Sequence, residues 1–150
     1  MKVAIGADHG AFDRKREVID YLKERGHEVK DFGTYTPDSC DYPAIGLAVA
    51  KAVASGEYDR GIVMCTTGIG ISIVANKVRG IRCALCNDVT SAKLTRAHND
   101  ANMLSMGAGV IGPNLTMDIV DVFMNTPFSN EEKHVRRLSQ LKKIETEELK

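Results

Sequence analysis

The stretch from Gly61 to Asn76, GIVMCTTGIGISIVAN, constrains the fold more than any other part of the chain. Its short run Ile62-Val63-Met64 is apolar and β-preferring, and it stops at Cys65. Gly68 and Gly70 then permit a tight turn in which backbone N–H groups approach a ligand closely. From Ile71 onward the spacing Ile71, Ile73, Val74, Lys77 predicts a short helix, whose positive N-terminal end points back at the turn. A strand, a glycine turn and a helix in that order favour an anion at the end of the strand. Cys65 stands beside that point, where a thiol can act as a base or a nucleophile.

The rest of the chain repeats the strand-then-helix pattern. Lys2 to Gly6 reads as a strand and Phe12 to Arg25 as an amphipathic helix with Val18, Ile19 and Leu22 on one face, stopped by Gly26. Glu28 to Asp31 is a second strand, and Pro43 opens a helix carrying Ile45, Leu47, Val49 and Val53 that ends near Ser55-Gly56. Arg60 to Met64, Ile81 to Cys86 and Met103 to Met106 read as the remaining strands, with helices over Thr90 to Ala97 and Leu115 to Met124. Such alternation with short connections predicts a single α/β domain over residues 1–150, an αβα sandwich around a doubly wound, five-stranded parallel sheet. Ser129-x-x-Glu132 has the form of a capping box for a last, polar helix. Val135, Leu138, Leu141 and Ile144 stripe that helix with apolar side chains and no strand follows it, so it is expected to pack on a partner subunit.

Composition narrows the function. The formal net charge is zero with 27% charged residues, so no global field recruits nucleic acid or an anionic membrane. No apolar run approaches a bilayer span, and Met1 to Ile5 leads into a strand without a signal-peptide layout, which predicts a cytoplasmic protein. Cys40, Cys65, Cys83 and Cys86 do not form a disulfide framework. Cys83-x-x-Cys86 lies within a strand pattern whose residues three apart face opposite ways, and no second pair completes a metal site. Neither a metal nor a cofactor is expected.

Several glycine-loop functions fail on particular residues. A dinucleotide fingerprint belongs after the first strand and needs a third glycine where Ile73 stands. A Walker loop needs Lys-Ser/Thr where Ile71-Ser72 follows. A cysteine phosphatase shares the thiol and the phosphate loop but needs an arginine late in the loop, and a receiver needs an aspartate in place of Cys65.

Asp8-His9-Gly10, Asp41-Tyr42-Pro43, Cys65-Thr66-Thr67-Gly68-Ile69-Gly70-Ile71-Ser72, Ala75-Asn76-Lys77, Gly80-Ile81-Arg82, His98-Asn99-Asp100-Ala101-Asn102 and Lys133-His134-Val135-Arg136-Arg137 occur in this order over essentially the whole chain. Together they resemble the type B ribose-5-phosphate isomerases and the related galactose-6-phosphate isomerase subunits. The resemblance implies a Rossmann-like fold, a homodimer or dimer of dimers, and aldose–ketose isomerisation of a small phosphorylated sugar through a cis-enediolate. It implies Cys65 as general base, with Thr67 bonding the substrate oxygens and the backbone from Thr66 through Gly68, Ile69 and Gly70 meeting the oxyanion. It further implies His98 as the residue that opens the sugar ring, Asp8 and Asn99 as hydroxyl partners, Tyr42 as a substrate contact, and His9, Lys133 and Arg137 as the phosphate clamp. Arg136 is assigned to the solvated face.

Three positions depart from the family's usual pattern. Thr66 stands where glycine is usual, Lys133 where arginine is usual, and Gly109 where many members carry a further arginine for substrate. These changes leave the reaction class intact and bear on which sugar is used, tetrose, pentose or hexose. A sugar-phosphate binding subunit without catalysis is the alternative, against which Cys65 and His98 are both retained. Topology adds an expectation. Cys65 and Asp8 belong to the C-terminal edge of the sheet and His98 to the opposite edge, so each site is expected to join two subunits.

Overall fold

The structure, a computed structural model, describes residues 1–149. Five strands, β1 (Lys2–Ala7), β2 (Glu28–Asp31), β3 (Arg60–Cys65), β4 (Cys83–Leu85) and β5 (Met103–Gly107), form one parallel sheet in the order β2-β1-β3-β5-β4. Six helices accompany them: α1 (Phe12–Glu24), α2 (Tyr42–Ala54), α3 (Ile69–Ala75), α4 (Val89–Asn99), α5 (Pro113–Asn125) and α6 (Glu132–Glu148). The chain runs outward from β1 to β2 and then back across to β3, so the winding reverses between β1 and β3. In open parallel sheets ligands sit beyond the carboxyl ends of the strands at such a reversal.

Strand alternation sends neighbouring side chains to opposite layers. Val3 and Ile5, Ile62 and Met64, and Leu104 and Met106 pack with Val18 and Leu22 of α1 and with Ile119, Val120 and Phe123 of α5. Ala4, Val63 and Cys65 face the other way, toward Val49 and Val53 of α2 and Ile71 and Ala75 of α3. Gly46 permits that second layer to close, since a Cβ there would lie 2.9 Å from Ile71 Cγ1. Helix α4 is capped by Asp88, whose carboxylate is held below its ordinary pKa by the Ser91 backbone N–H at 2.6 Å and the Ser91 hydroxyl at 2.8 Å.

Three expectations are corrected. The glycine-loop helix begins at Ile69 rather than Ile71, because Gly68 at φ 75° supplies its N-cap. The fourth strand shrinks to Cys83–Leu85, because the Ile81 N–H is spent on a turn to the Val78 carbonyl at 3.2 Å and the Arg82 N–H on the Asn102 side chain at 2.9 Å. The capping box does not form. Asn130 adopts φ 57°, Glu131 is the N-cap, and Ser129 Oγ accepts only from the Glu131 N–H at 3.3 Å. Helix α6 is tied to its own chain at both ends, through His134 stacked on His98 and through the Gly80 N–H donating to Glu145 Oε1 at 2.7 Å. Between those ties its stripe stays open, with Val135 48%, Leu141 49% and Ile144 56% exposed.

Candidate active site

The loop after β3 is pinned from below and bare above. The Gly68 N–H donates to Cys65 Sγ at 3.1 Å, which fixes the direction of the sulfur, and Cys65 is only 5% exposed. The buried Ser105 hydroxyl of β5 donates to the Gly68 carbonyl at 2.6 Å, and the Ser72 N–H donates to the same oxygen at 3.3 Å. Gly68 and Gly107 let the two segments touch: a Cβ on Gly68 would lie 2.7 Å from the Met106 carbonyl carbon, and one on Gly107 would lie 2.6 Å from that of Thr67. The Ile69 N–H donates to Thr67 Oγ1 at 3.2 Å, leaving the Thr67 hydroxyl proton for a ligand. Backbone N–H groups of Thr66, Thr67, Gly70 and Ile71 have no acceptor among the described residues; for Gly70 and Ile71 the first turn of a helix requires this unless a ligand supplies one. Tyr42 leans its ring tip over the loop, 2.5 Å from where a Cβ on Gly70 would stand.

Asp8 and His9 follow β1 at the same edge. Asp8 is 6% exposed, and its Oδ1 accepts from the Gly10 N–H at 2.9 Å, capping a 3-10 turn. His9 Nδ1 accepts from the Cys40 N–H at 3.1 Å. A backbone N–H can only donate, so the neutral ring carries its proton on Nε2 and presents it away from Cys40.

The remaining expected residues gather at the other edge. His98 and Asn99 end α4, whose C-terminus is held by the Arg82 guanidinium on the carbonyls of Asn99 and Asp100, each at 2.9 Å. His98 stacks on His134 with ring centroids 4.2 Å apart and 15° between planes. His134 is 6% exposed and its Nε2 is buried without a partner among the described residues; burial and then the neighbouring His98 ring push its pKa below the ordinary value. Lys133 makes an exposed pair with Glu131 at 3.6 Å, and Arg137 is exposed close by. Arg136 is engaged by Glu132 at 2.7 Å across one turn, in keeping with a solvated face.

The candidate residues therefore form two clusters. Asp8, His9, Tyr42, Cys65, Thr66, Thr67, Gly68, Ile69, Gly70 and Gly109 meet at the carboxyl edge, while His98, Asn99, Lys133 and Arg137 meet at the amino edge. Strand β3 spans five steps from Arg60 to Cys65, so about 16 Å of sheet separates them within one chain. The residues expected to clamp the phosphate are divided in the same way, His9 on one edge and Lys133 with Arg137 on the other. His134 and Ser105 had no role in the sequence reading. Among the cysteines, burial and then Cys86 push the Cys83 thiol up to about 12, and burial and then Asp88 push Cys86 up to about 11. Both are therefore poor redox thiols at neutral pH.

The model of the Ribose/Galactose Isomerase family matches residues 3–141. Ribose-5-phosphate isomerase B of Escherichia coli is 44% identical over 144 residues, 96% of each chain. Galactose-6-phosphate isomerase subunit LacB of Clostridium acetobutylicum is 44% identical over 128 residues, 85% of this chain and 74% of that one. The solved structure of Clostridium thermocellum ribose-5-phosphate isomerase B superimposes with a TM-score of 0.95 at 52% identity, covering 97% of this chain and 98% of the other. The strand–turn–helix around Cys65 is thus part of a scaffold shared over nearly the whole chain, and the protein belongs to the ribose/galactose isomerase family.

Proposed function

We propose that this chain interconverts ribose 5-phosphate and ribulose 5-phosphate in the cytoplasm, by proton transfer through a cis-enediolate. The observation that carries this is the Cys65 loop: a sulfur fixed by one backbone N–H, in a loop whose Thr66, Thr67, Gly70 and Ile71 N–H groups have no acceptor among the described residues. Deprotonating carbon next to a carbonyl fails unless the new oxyanion is stabilised, and preorganised N–H donors are suited to that. In this reading the Cys65 thiolate removes the proton from C2 of the open-chain aldose while negative charge passes to the C1 oxygen. The proton returns to C1 and the C2 hydroxyl proton passes to the C1 oxygen, giving the neutral ketose. Thr67 bonds the two oxygens as charge moves between them.

Ring opening needs an acid on the ring oxygen, the role given to His98. Because about 16 Å of sheet lies between His98 and Cys65 of one chain, the reading joins Cys65 of one subunit to His98, Lys133 and Arg137 of a two-fold partner. The open apolar stripe of α6, between its two ties, supports such a partner. Four free thiols support the reducing compartment. Similarity to both a ribose-5-phosphate and a galactose-6-phosphate isomerase makes chain length the variable to test. The experiment is turnover of four-, five- and six-carbon aldose and ketose phosphates in deuterated water. Pentose phosphate should be the best substrate and take up deuterium at the transferred position. Preference for another length refutes the substrate, and binding without label refutes catalysis.

A further inference from the structure

Thr66 sits in a place that two other loops leave open for it. A Cβ on Gly10, in the loop after β1, would overlap Thr66 Oγ1; a Cβ on Gly109, in the loop after β5, would lie 2.8 Å from Thr66 Cγ2 and 3.0 Å from the Thr66 carbonyl oxygen. Neither glycine is required by its backbone, since the positive-φ glycines among the described residues are Gly26, Gly33, Gly56, Gly68 and Gly80. Their lack of a side chain answers to space, and Thr66 occupies that space from both sides. The strand ends cannot spread to relieve it: the Ala108 N–H donates to the Cys65 carbonyl at 3.0 Å and the Gly109 N–H to the Thr66 carbonyl at 2.8 Å. A β-branched side chain has few rotamers to begin with, and one seated between two backbones has fewer.

We propose that Thr66 is a specificity-determining wedge, seated in the notches of Gly10 and Gly109, that sets the width of the sugar site above Cys65. The kinetic part of this rests on the isomerase reading; the steric part does not. Thr66 is exposed next to the buried sulfur, so its branched side chain forms the wall between the β1 and β5 loops at the point of chemistry. The same seating excludes any side chain from position 109 while Cγ2 is present. Trimming the wedge therefore widens the site toward longer sugars, and a side chain at 109 is accommodated only when Cγ2 is removed.

Two measurements test this. The first is the ratio of kcat/KM for a six-carbon to a five-carbon aldose phosphate in Thr66→Ser and Thr66→Gly. Removing one methyl should raise the ratio about tenfold, and removing the side chain should raise it further. A ratio unchanged within about twofold in both variants overturns the selectivity role. The second is thermal unfolding of Gly109→Ala with Thr66 intact and with Thr66→Ser. Alone, Gly109→Ala should lower Tm by about 3–9 °C, and Thr66→Ser should recover at least half of that loss. Equal losses in both backgrounds overturn the wedge. Absence of turnover in the wild type would refute the isomerase reading, and the unfolding cycle would still judge the seating of Thr66.

Discussion

Replacing Gly68 by alanine should damage the site by two separable routes. The residue sits at φ 75°, where a side chain costs about 1–2 kcal/mol. Its new Cβ would also lie 2.7 Å from the carbonyl carbon and 2.8 Å from the carbonyl oxygen of Met106. Those are backbone atoms of β5 and cannot swing aside, so overpacking adds about 1–3 kcal/mol. The sum, about 2–5 kcal/mol, corresponds to a Tm lower by about 5–15 °C for a chain of this size. Gly26→Ala is the matched control, since it has φ 84° and nothing within 4 Å of its Cβ. It carries only the backbone cost and should lower Tm by about 3–6 °C. The excess in Gly68→Ala measures the clash. Relief of that clash lifts the loop from β5, stretching the Gly68 N–H to Cys65 Sγ contact of 3.1 Å and the Ser105 to Gly68 bond of 2.6 Å. Misplacing a catalytic group by about 1 Å lowers kcat about a hundredfold. Calorimetry and steady-state kinetics on the two variants decide the matter. A Gly68→Ala protein that melts with Gly26→Ala and turns over within about threefold of wild type refutes the account of how the loop is held.

Cys65→Ala should lose about two to four decades of turnover while still binding sugar phosphate by calorimetry, and a loss under about threefold removes the thiol from the base role. Lys133→Ala and Arg137→Ala should each raise KM for the phosphorylated sugar, with salt weakening the wild type more than either variant; an unchanged KM assigns the residue to the solvated face. Below the ordinary histidine value of 6.5, stability should fall with pH, because His134 and His27 both have folded pKa values pushed down, mainly by burial. The neutral rings are favoured in the fold, so this stability is complete above 6.5 and is lost as pH falls from there through the folded values. His134→Phe keeps an aromatic face against His98 and should flatten the fall of Tm with pH, whereas an unaltered slope would exclude His134 as a source. Mixed under verified subunit exchange, inactive Cys65→Ala and His98→Asn proteins should recover about a quarter of wild-type activity, since half the dimers are mixed and each has one intact site. No recovery would mean that the residues act within one chain.

Much of this is legible in the sequence, for physical reasons that differ by element. Strands β1, β2, β3 and β5 are apolar or alternating runs, three of them closed by glycine or aspartate and β3 by Cys65, and their ends fall within a residue of the expected ones. The division of candidate residues between two sheet edges also followed from chain order, because in a parallel sheet a helix always returns the chain to the starting edge. What could not be read depends on conformation or on distant contacts. Ser129-x-x-Glu132 has the letters of a capping box, but Asn130 at φ 57° turns the serine away. Ser105 looks like any residue of a strand until its hydroxyl is found on the Gly68 carbonyl. His134 lies in the charged run Lys133 to Arg137, which suggests an exposed face, yet it is 6% exposed against His98. Thr66 and Gly109 read in the sequence as two separate departures from a pattern, and only the fit of Thr66 against Gly10 and Gly109 connects them.

The separation of the two clusters by the length of β3 has a thermodynamic consequence. If the site is shared between two subunits as proposed, a sugar phosphate held by Cys65 of one chain and by Lys133 and Arg137 of another binds the assembled pair and neither chain alone. By mass action such a ligand must strengthen the assembly it bridges, by about 2.7 kcal/mol per site at a hundred times its dissociation constant. Substrate would then act as an adhesive between subunits. At concentrations where the free protein is mostly dissociated, activity would rise with the square of protein, and saturating sugar phosphate would restore proportionality.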